Sequence, residues 1–476
     1  MQKTKELHNV LDTDRIGWLL LKLSIPAFFG MFVQTLYNVV NTIFVGHYVG
    51  PLGIAGLSIA FPLQMLAMGL GMMVGMGGAS LISRLLGAGD KDAAERAVGN
   101  GITIGIVLSI IIAIIILPFL DFWLKLIGAS EAVLPYAREY LAIIIGGSVF
   151  GIFSMALLSF ARAEGNARVG MVAMIIGAVL SIILSAILII PLKMGVVGAG
   201  LATIIAQMVS TIYLFSYYLS GSSYLKIRAA NLVPDFKILK GMFSIGIAAF
   251  AQTVAGSLSA MMLINMVVSY GGDYALSAFG IIQRILMFAV MPAIVIGQGG
   301  QPVLGYNYGA KRYHFAIKAI KLSVFSATIL SGLVFLVVYF IPEPLIKIFS
   351  SDPELVAIGS YAAKRMFLAM PLMGVVMVST QIFQALGKAL QAFLTAIMRP
   401  LVFLIPLVLI LPRFWQLDGV WLSFPFSDML ATILIVILLV PIIGQFARAA
   451  REEKPENESP EAPQQLQESP ENLAVH

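Results

Sequence analysis

The chain has 476 residues, of which 59% are hydrophobic and 11% charged, with a mean hydropathy of +0.95. A soluble protein of this size carries about twice that share of charge, so a soluble multi-domain architecture is excluded, and with no cysteine there is neither a disulfide framework nor a thiolate metal site. The net charge of +6 would point to nucleic acid only if the basic residues gathered on one soluble surface, and they do not.

In chain order, Met1 to Arg15 is polar and shows no cleavable secretory signal, so residues 1–17 are expected to be a cytoplasmic segment ahead of the first span. Apolar blocks of about 20 to 30 residues follow, each long enough to cross a bilayer. They predict spans at 18–46, 52–82, 98–118, 134–160, 167–191, 196–220, 240–269, 275–304, 315–341, 356–386, 390–412 and 418–445. Arg84, Lys91 and Arg96 follow the second block, Arg162 and Arg168 the fourth, and Lys226, Arg228, Lys237 and Lys240 the sixth. Lys311, Arg312 and Lys318 follow the eighth, Lys388 and Arg399 border the gap after the tenth, and Arg448, Arg451 and Lys454 follow the twelfth. The alternate gaps hold only Lys125, Lys193, Lys347 and Arg413. Lys and Arg stay on the cytoplasmic side, so the chain is expected to be a multi-pass protein of a bacterial inner membrane with both termini inside. The stretch Glu452 to His476 is rich in Glu, Pro, Gln and Ser, so residues 447–476 are expected to form a disordered cytoplasmic tail.

The chain also repeats. Val74-Gly-Met-Gly-Gly aligns with Ile296-Gly-Gln-Gly-Gly at an offset of 222, and Tyr140, Gly165, Pro191 and Gly198 meet Tyr361, Gly387, Pro412 and Gly419 within one residue of it. Each half holds six spans, an even number, so both enter the membrane in one orientation, related by a pseudo-twofold axis along its normal. The expectation is an all-α polytopic membrane protein: one six-helix bundle over 18–220, a linker over 221–239, a second bundle over 240–446, and a cavity between them suited to alternating access.

Gln34-Thr-Leu-Tyr-Asn-Val-Val-Asn-Thr-Ile-Phe-Val-Gly-His47 resembles the first-span signature of multidrug and toxin extrusion (MATE) transporters. Gly297-Gln-Gly-Gly-Gln-Pro-Val-Leu-Gly-Tyr-Asn-Tyr-Gly-Ala310, Gln384-Ala-Leu-Gly-Lys-Ala389 and Leu417-Asp-Gly-Val-Trp421 are similar to that family as well, and the resemblance runs from about 15 to 445. It implies a V-shaped twelve-helix fold that exports organic, often cationic compounds in exchange for H⁺ or Na⁺. Many prokaryotic members carry Asp in the first span where this chain has Asn41, and a second in the fifth span where it has Ser185. Neither side chain releases a proton near neutral pH, which puts coupling through the amino-terminal half in question.

Asp428 is the candidate ion-coupling residue. It lies about ten residues into the last span, roughly at the midplane, where a carboxylate costs about 2.5–3.5 kcal/mol unless it meets a cavity or a partner. Arg284, at similar depth in the eighth span, is the expected partner or gate, and a packing ion pair is the structural alternative. Gln34, Asn38 and Asn41 share one face of the first span. With Tyr37, Ser181, Ser185 and Gln207, they are expected to line an amino-terminal pocket, or to act as polar glue between helices. Gln252 and Gln283 are further cavity candidates, and Gln207 is the repeat counterpart of Asp428.

The Gly-rich ends of the second and eighth spans lack the Gly-Lys-Ser/Thr ending of a phosphate loop, and four scattered histidines show no ligand spacing. No nucleophile–base pair is apparent, so an enzyme, a nucleotide site and a resident cofactor are not expected. The partners expected are a small organic substrate, a coupling cation and the bilayer, with the protein acting as a monomer. Two rival readings are a lipid-linked saccharide flippase, which needs a cationic cavity, and a non-transporting membrane subunit that has lost ion coupling.

Overall fold

The computed structural model describes residues 11–350 and 352–452. Among them, nine helices are long and apolar enough to cross a bilayer, and two bent pairs raise the number to eleven. The twelfth span lies inside Phe236–Gly309. A straight helix of 74 residues would be roughly 110 Å long, far more than a bilayer, and the chain reverses at Gly272, whose φ of +64° favours a residue without Cβ. Met242 and Val303 accordingly share one core cluster.

The spans are Ile16–Tyr48, Pro51–Gly87, Lys91–Ile116, the pair Leu134–Gly146 and Ser148–Ala163, Ala167–Ile189, and Gly195–Leu219 in the amino-terminal half. The carboxy-terminal half has 236–271, 273–309, Tyr313–Phe340, the pair Pro353–Met366 and Met370–Ala385, 389–410, and Pro412–Glu452. The duplication survives in the backbone. Helices begin at Lys91 and Tyr313, Leu120 and Pro342, Ser148 and Met370, and Ala167 and Ala389, each pair 222 positions apart. The left-handed turns at Gly50 and Gly272 keep the same spacing. The fourth and tenth spans bend by 50° and 57°, at Gly147 and just ahead of Pro371, where a missing N–H weakens the helical ladder.

Two boundaries differ from the sequence expectation. The last span runs as unbroken helix through 447–452, because Arg448 and Arg451 continue it into water, and the remainder of the expected tail lies outside the described residues. The linker ends at Asp235, not 239, since the Asp235 carboxylate accepts from Lys237 N and Ile238 N and starts the helix there.

That linker is strapped to the first bundle. Asn100 Nδ2 donates to the carbonyls of Asn231 and Val233, both at 3.2 Å, and its Oδ1 accepts from Asp235 N at 2.6 Å. Thr103 Oγ1 donates to Leu232 O at 2.7 Å, and Arg228 reaches the buried Glu95 at 3.4 Å.

The two halves meet at the end that carries the basic loops. A Cβ on Gly87 would overlap the carbonyl oxygen of Tyr306, one on Gly309 that of Arg84, and one on Gly77 that of Met242, so backbone lies against backbone. Gln301 Nε2 donates to Met76 O at 3.3 Å, and Ser80 Oγ donates to the Gln384 carbonyl. The core cluster at this end mixes both halves: Leu86 and Phe160 pack with Met242 and Tyr306. At the opposite end the cores separate. One cluster runs only from Val45 to Ala199, another only from Leu263 to Phe424. The cleft between the bundles therefore widens away from the basic end.

Candidate functional site

Asp428 is buried in the twelfth span, and its partner is Arg399, not Arg284. The eleventh span is α-helical over Ala389–Ile397 and widens to a π-helix over Met398–Leu404. Pro400 has no N–H to give there, and its carbonyl accepts from Ser259 Oγ at 2.7 Å. This turn carries Arg399 inward, where Nε donates to Asp428 Oδ1 at 2.5 Å and Nη2 lies 3.8 Å from Met373 Sδ. Ser427 and Thr432 spend their hydroxyls on carbonyls of their own helix. Among the described residues, Arg399 alone bonds the carboxylate. Matching depth in sequence favours Arg284, because Arg399 reads as the border of a loop. The signal that could have found it is an Arg-Pro step inside the apolar run 390–412.

Arg284 is exposed, with no hydrogen-bond or ion-pair partner among the described residues. Its surroundings define where it points. Met291 and Val295 pack on Ala27, Phe28 and Met31 of the first span, and Phe288 meets Phe32 at 6.3 Å between ring centroids. Arg284 lies one turn before Phe288 on that stripe, on the side of the break at Gly272 and so towards the wide end. Gln252 and Gln283 are half-buried without a hydrogen bond among the described residues.

The amino-terminal patch assembles in part. Asn41 Nδ2 donates to Ser181 Oγ at 3.1 Å, joining the first and fifth spans. Asn41 Oδ1 and the hydroxyl of buried Ser185 have no partner among the described residues. Tyr37 and Gln34 are half-buried, and the Asn38 side chain lies outside the described residues. Gln207 leans towards Gly151, where an added Cβ would stand 2.9 Å from its Oε1. No hydrogen bond joins Gln207 to Asn41 among the described residues. Ser210 Oγ donates to Ala173 O at 3.0 Å and Thr203 Oγ1 to Ala199 O at 2.9 Å, which is helix packing. Tyr140 reaches Gln64 Oε1 at 3.4 Å, a pairing the sequence does not suggest. An apolar recess of about 280 Å³ between Leu66, Leu70, Ile112 and Phe250 has no polar lining and lies apart from these groups.

At the basic end the structure adds residues to which the sequence alone gives no site role. Glu164, in the turn between the fourth and fifth spans, is buried and accepts from Tyr217 Oη at 2.6 Å, Ser223 Oγ at 2.7 Å and Leu225 N at 3.3 Å. Burial outweighs those bonds and pushes its carboxyl up to about 7. Arg162, two residues earlier, donates to Gln298 of the other half and, at 3.2 Å, to Ser159 Oγ. In sequence Arg162 is only a topology marker and Glu164 has no role, because their main partners are distant along the chain.

A model of the MatE family matches residues 26–187 and 248–410. The multidrug export protein MepA of Staphylococcus aureus (strain MSSA476) is 28% identical over 429 residues, which is 88% of this chain and 93% of that protein. Among solved structures, the MATE multidrug transporter DinF-BH aligns with a TM-score of 0.85 and 41% identity, covering 91% of this chain and 98% of that one. An outward-facing MATE family transporter of the MOP superfamily aligns at 0.87 and 26% identity, covering 92% and 98%.

Proposed function

The chain belongs to the MATE family of membrane transporters, and from that membership we propose that it exports small organic compounds, drugs among them, by alternating access in antiport with protons. It is a multi-pass transporter, not an enzyme. The two six-span bundles, 16–219 and 236–452, are the rocking units and the basic end faces the cytoplasm of a bacterial cell, by the charge bias of its loops. The cleft then opens outward.

The observation that carries the coupling reading is the buried Arg399–Asp428 pair. A buried pair is balanced only while both partners are charged. Protonating Asp428 leaves the Arg399 guanidinium unmatched, and the twelfth span loses its tie to the π-helical turn of the eleventh. That gives two packings of one bundle whose balance a proton tips. A proton suits the site better than Na⁺, since the guanidinium already occupies the carboxylate and repels a metal cation. Asn41 and Ser185 supply no second acid, so the coupling group sits in the carboxy-terminal half alone.

Dye efflux from inverted membrane vesicles, with a proton or a sodium gradient imposed separately, tests the reading. Uphill movement driven by the proton gradient alone is the expected result. Movement indifferent to both gradients contradicts it.

A further inference from the structure

We propose that the cleft binds the acidic head of an amphiphilic organic anion at Arg284, with the apolar body of the substrate lying on the Phe28, Phe32 and Phe288 side chains below it. This inference rests on the transport reading above and names the substrate class of that cleft.

Three observations meet at this position. First, Arg284 is exposed within a membrane-spanning helix, twelve residues or roughly 18 Å from the break at Gly272. A guanidinium at that depth faces water, not acyl chains. The stripe it shares with Phe288, Met291 and Val295 turns towards the first span, so that water is the water of the cleft.

Second, its charge is uncompensated among the described residues. Asp428 is the described carboxylate furthest from any helix end, Glu139 of the fourth span lying five residues from its start at the wide end, and Arg399 holds Asp428 in the second bundle. The other described acids sit in turns and near helix ends, among them Asp121, Glu131, Asp273, Glu343 and Asp418 at the wide end, and Glu95, Glu164 and Asp235 at the basic end. Arg284, Arg399 and Asp428 together leave one net positive charge in the middle of the transporter. A guanidinium keeps its charge at every physiological pH, so a cationic substrate meets repulsion where an anion meets a fork of donors.

Third, an apolar shelf lies beside the charge. The Phe28 and Phe32 rings stack at 6.2 Å and Phe32 meets Phe288 across the two halves. Phe288 is one helical turn from Arg284, roughly 6 Å along the axis. A carboxylate, sulfonate or phosphate joined to an aromatic or aliphatic body of that length satisfies both features at once. The proton site acts separately, because the Asp428 carboxylate is committed to Arg399 and bonds no other side chain among the described residues.

The test uses the full chain in liposomes and two dansyl probes that share one propyl arm, one ending in sulfonate and the other in trimethylammonium. Proton-driven transport of the sulfonate at roughly tenfold or more the rate of the ammonium probe is expected of the wild-type protein, and Arg284→Glu reverses the order. Arg284→Gln lowers sulfonate transport without raising its cationic counterpart to the same degree. Equilibrium binding of both probes in detergent gives the same ranking without transport. The proposal is overturned if the wild type prefers the ammonium probe, or if Arg284→Glu leaves the ranking of the two probes unchanged. Loss of all proton-driven movement for both probes in the wild type, with binding and ranking intact, contradicts the antiport reading and leaves the Arg284 assignment standing.

Discussion

Arg399 and Asp428, on neighbouring spans of the second bundle, form an ion pair whose side chains are 12% and 3% exposed. Removing one partner strands the other charge, which costs about 3–5 kcal/mol, whereas replacing both with apolar groups is often neutral or stabilising. Asp428→Asn and Arg399→Met alone are therefore expected to lower the unfolding midpoint in detergent, and Asp428→Leu with Arg399→Met to restore most of it. A double variant as unstable as the sum of the singles would show that the two residues act independently.

The Asn41–Ser181 bond is expected to matter little. Interhelical bonds of this kind are worth about 0.6 kcal/mol, and one buried oxygen of Asn41 is already unpaired among the described residues. Asn41→Ala should leave proton-driven efflux within about threefold of wild type. A loss as large as that caused by Asp428→Asn would place the coupling site in the first bundle.

Glu164 predicts a pH window for stability. Its folded carboxyl sits near 7, above its ordinary value of 4.5, so the folded state holds one more proton than the unfolded state between those values. Stability is full below about 4.5, falls as pH rises towards 7, and is flat above. The total is on the order of 3 kcal/mol. Glu164→Gln should remove this slope from a denaturation series across that window, and a slope equal to wild type would assign it to other groups.

Closure at the basic end depends on Gly87 and Gly309, whose missing side chains admit the carbonyls of Tyr306 and Arg84. Gly309→Ala adds a methyl where backbone already sits, and overpacking of this kind costs about 1–3 kcal/mol. That shifts the balance towards opening at this end roughly 5- to 150-fold. With no native cysteine, a single cysteine near Gln298 reports the change by its labelling rate from the basic side. Unchanged labelling would mean that the halves do not part along this seam.

The duplicated scaffold was legible because hydrophobic block length, basic-loop placement and the offset of 222 are local or periodic signals. The sites were legible only in part. Asp428 stands out from sequence because a lone acid in an apolar run is costly. Arg399 does not, because its position depends on a π-helical turn that no local pattern announces. Depth alone made Arg284 the expected partner, but its helix turns the Phe288, Met291 and Val295 stripe towards the first span, and Arg399 takes the carboxylate instead. Asn41 and Ser181 meet as their helix faces suggested, whereas Gln207, matched to them by depth, leans towards Gly151 instead. Glu164 escapes a sequence reading since its three donors come from the sixth span and the linker, more than fifty positions away.

The most direct test of the central claim compares exchange with accumulation in the Asp428→Leu, Arg399→Met double variant reconstituted in liposomes. The account predicts substrate counterflow near the wild-type rate and no uphill transport under an imposed proton gradient. Uphill transport that survives at the wild-type level would contradict it, and would place proton coupling away from this pair.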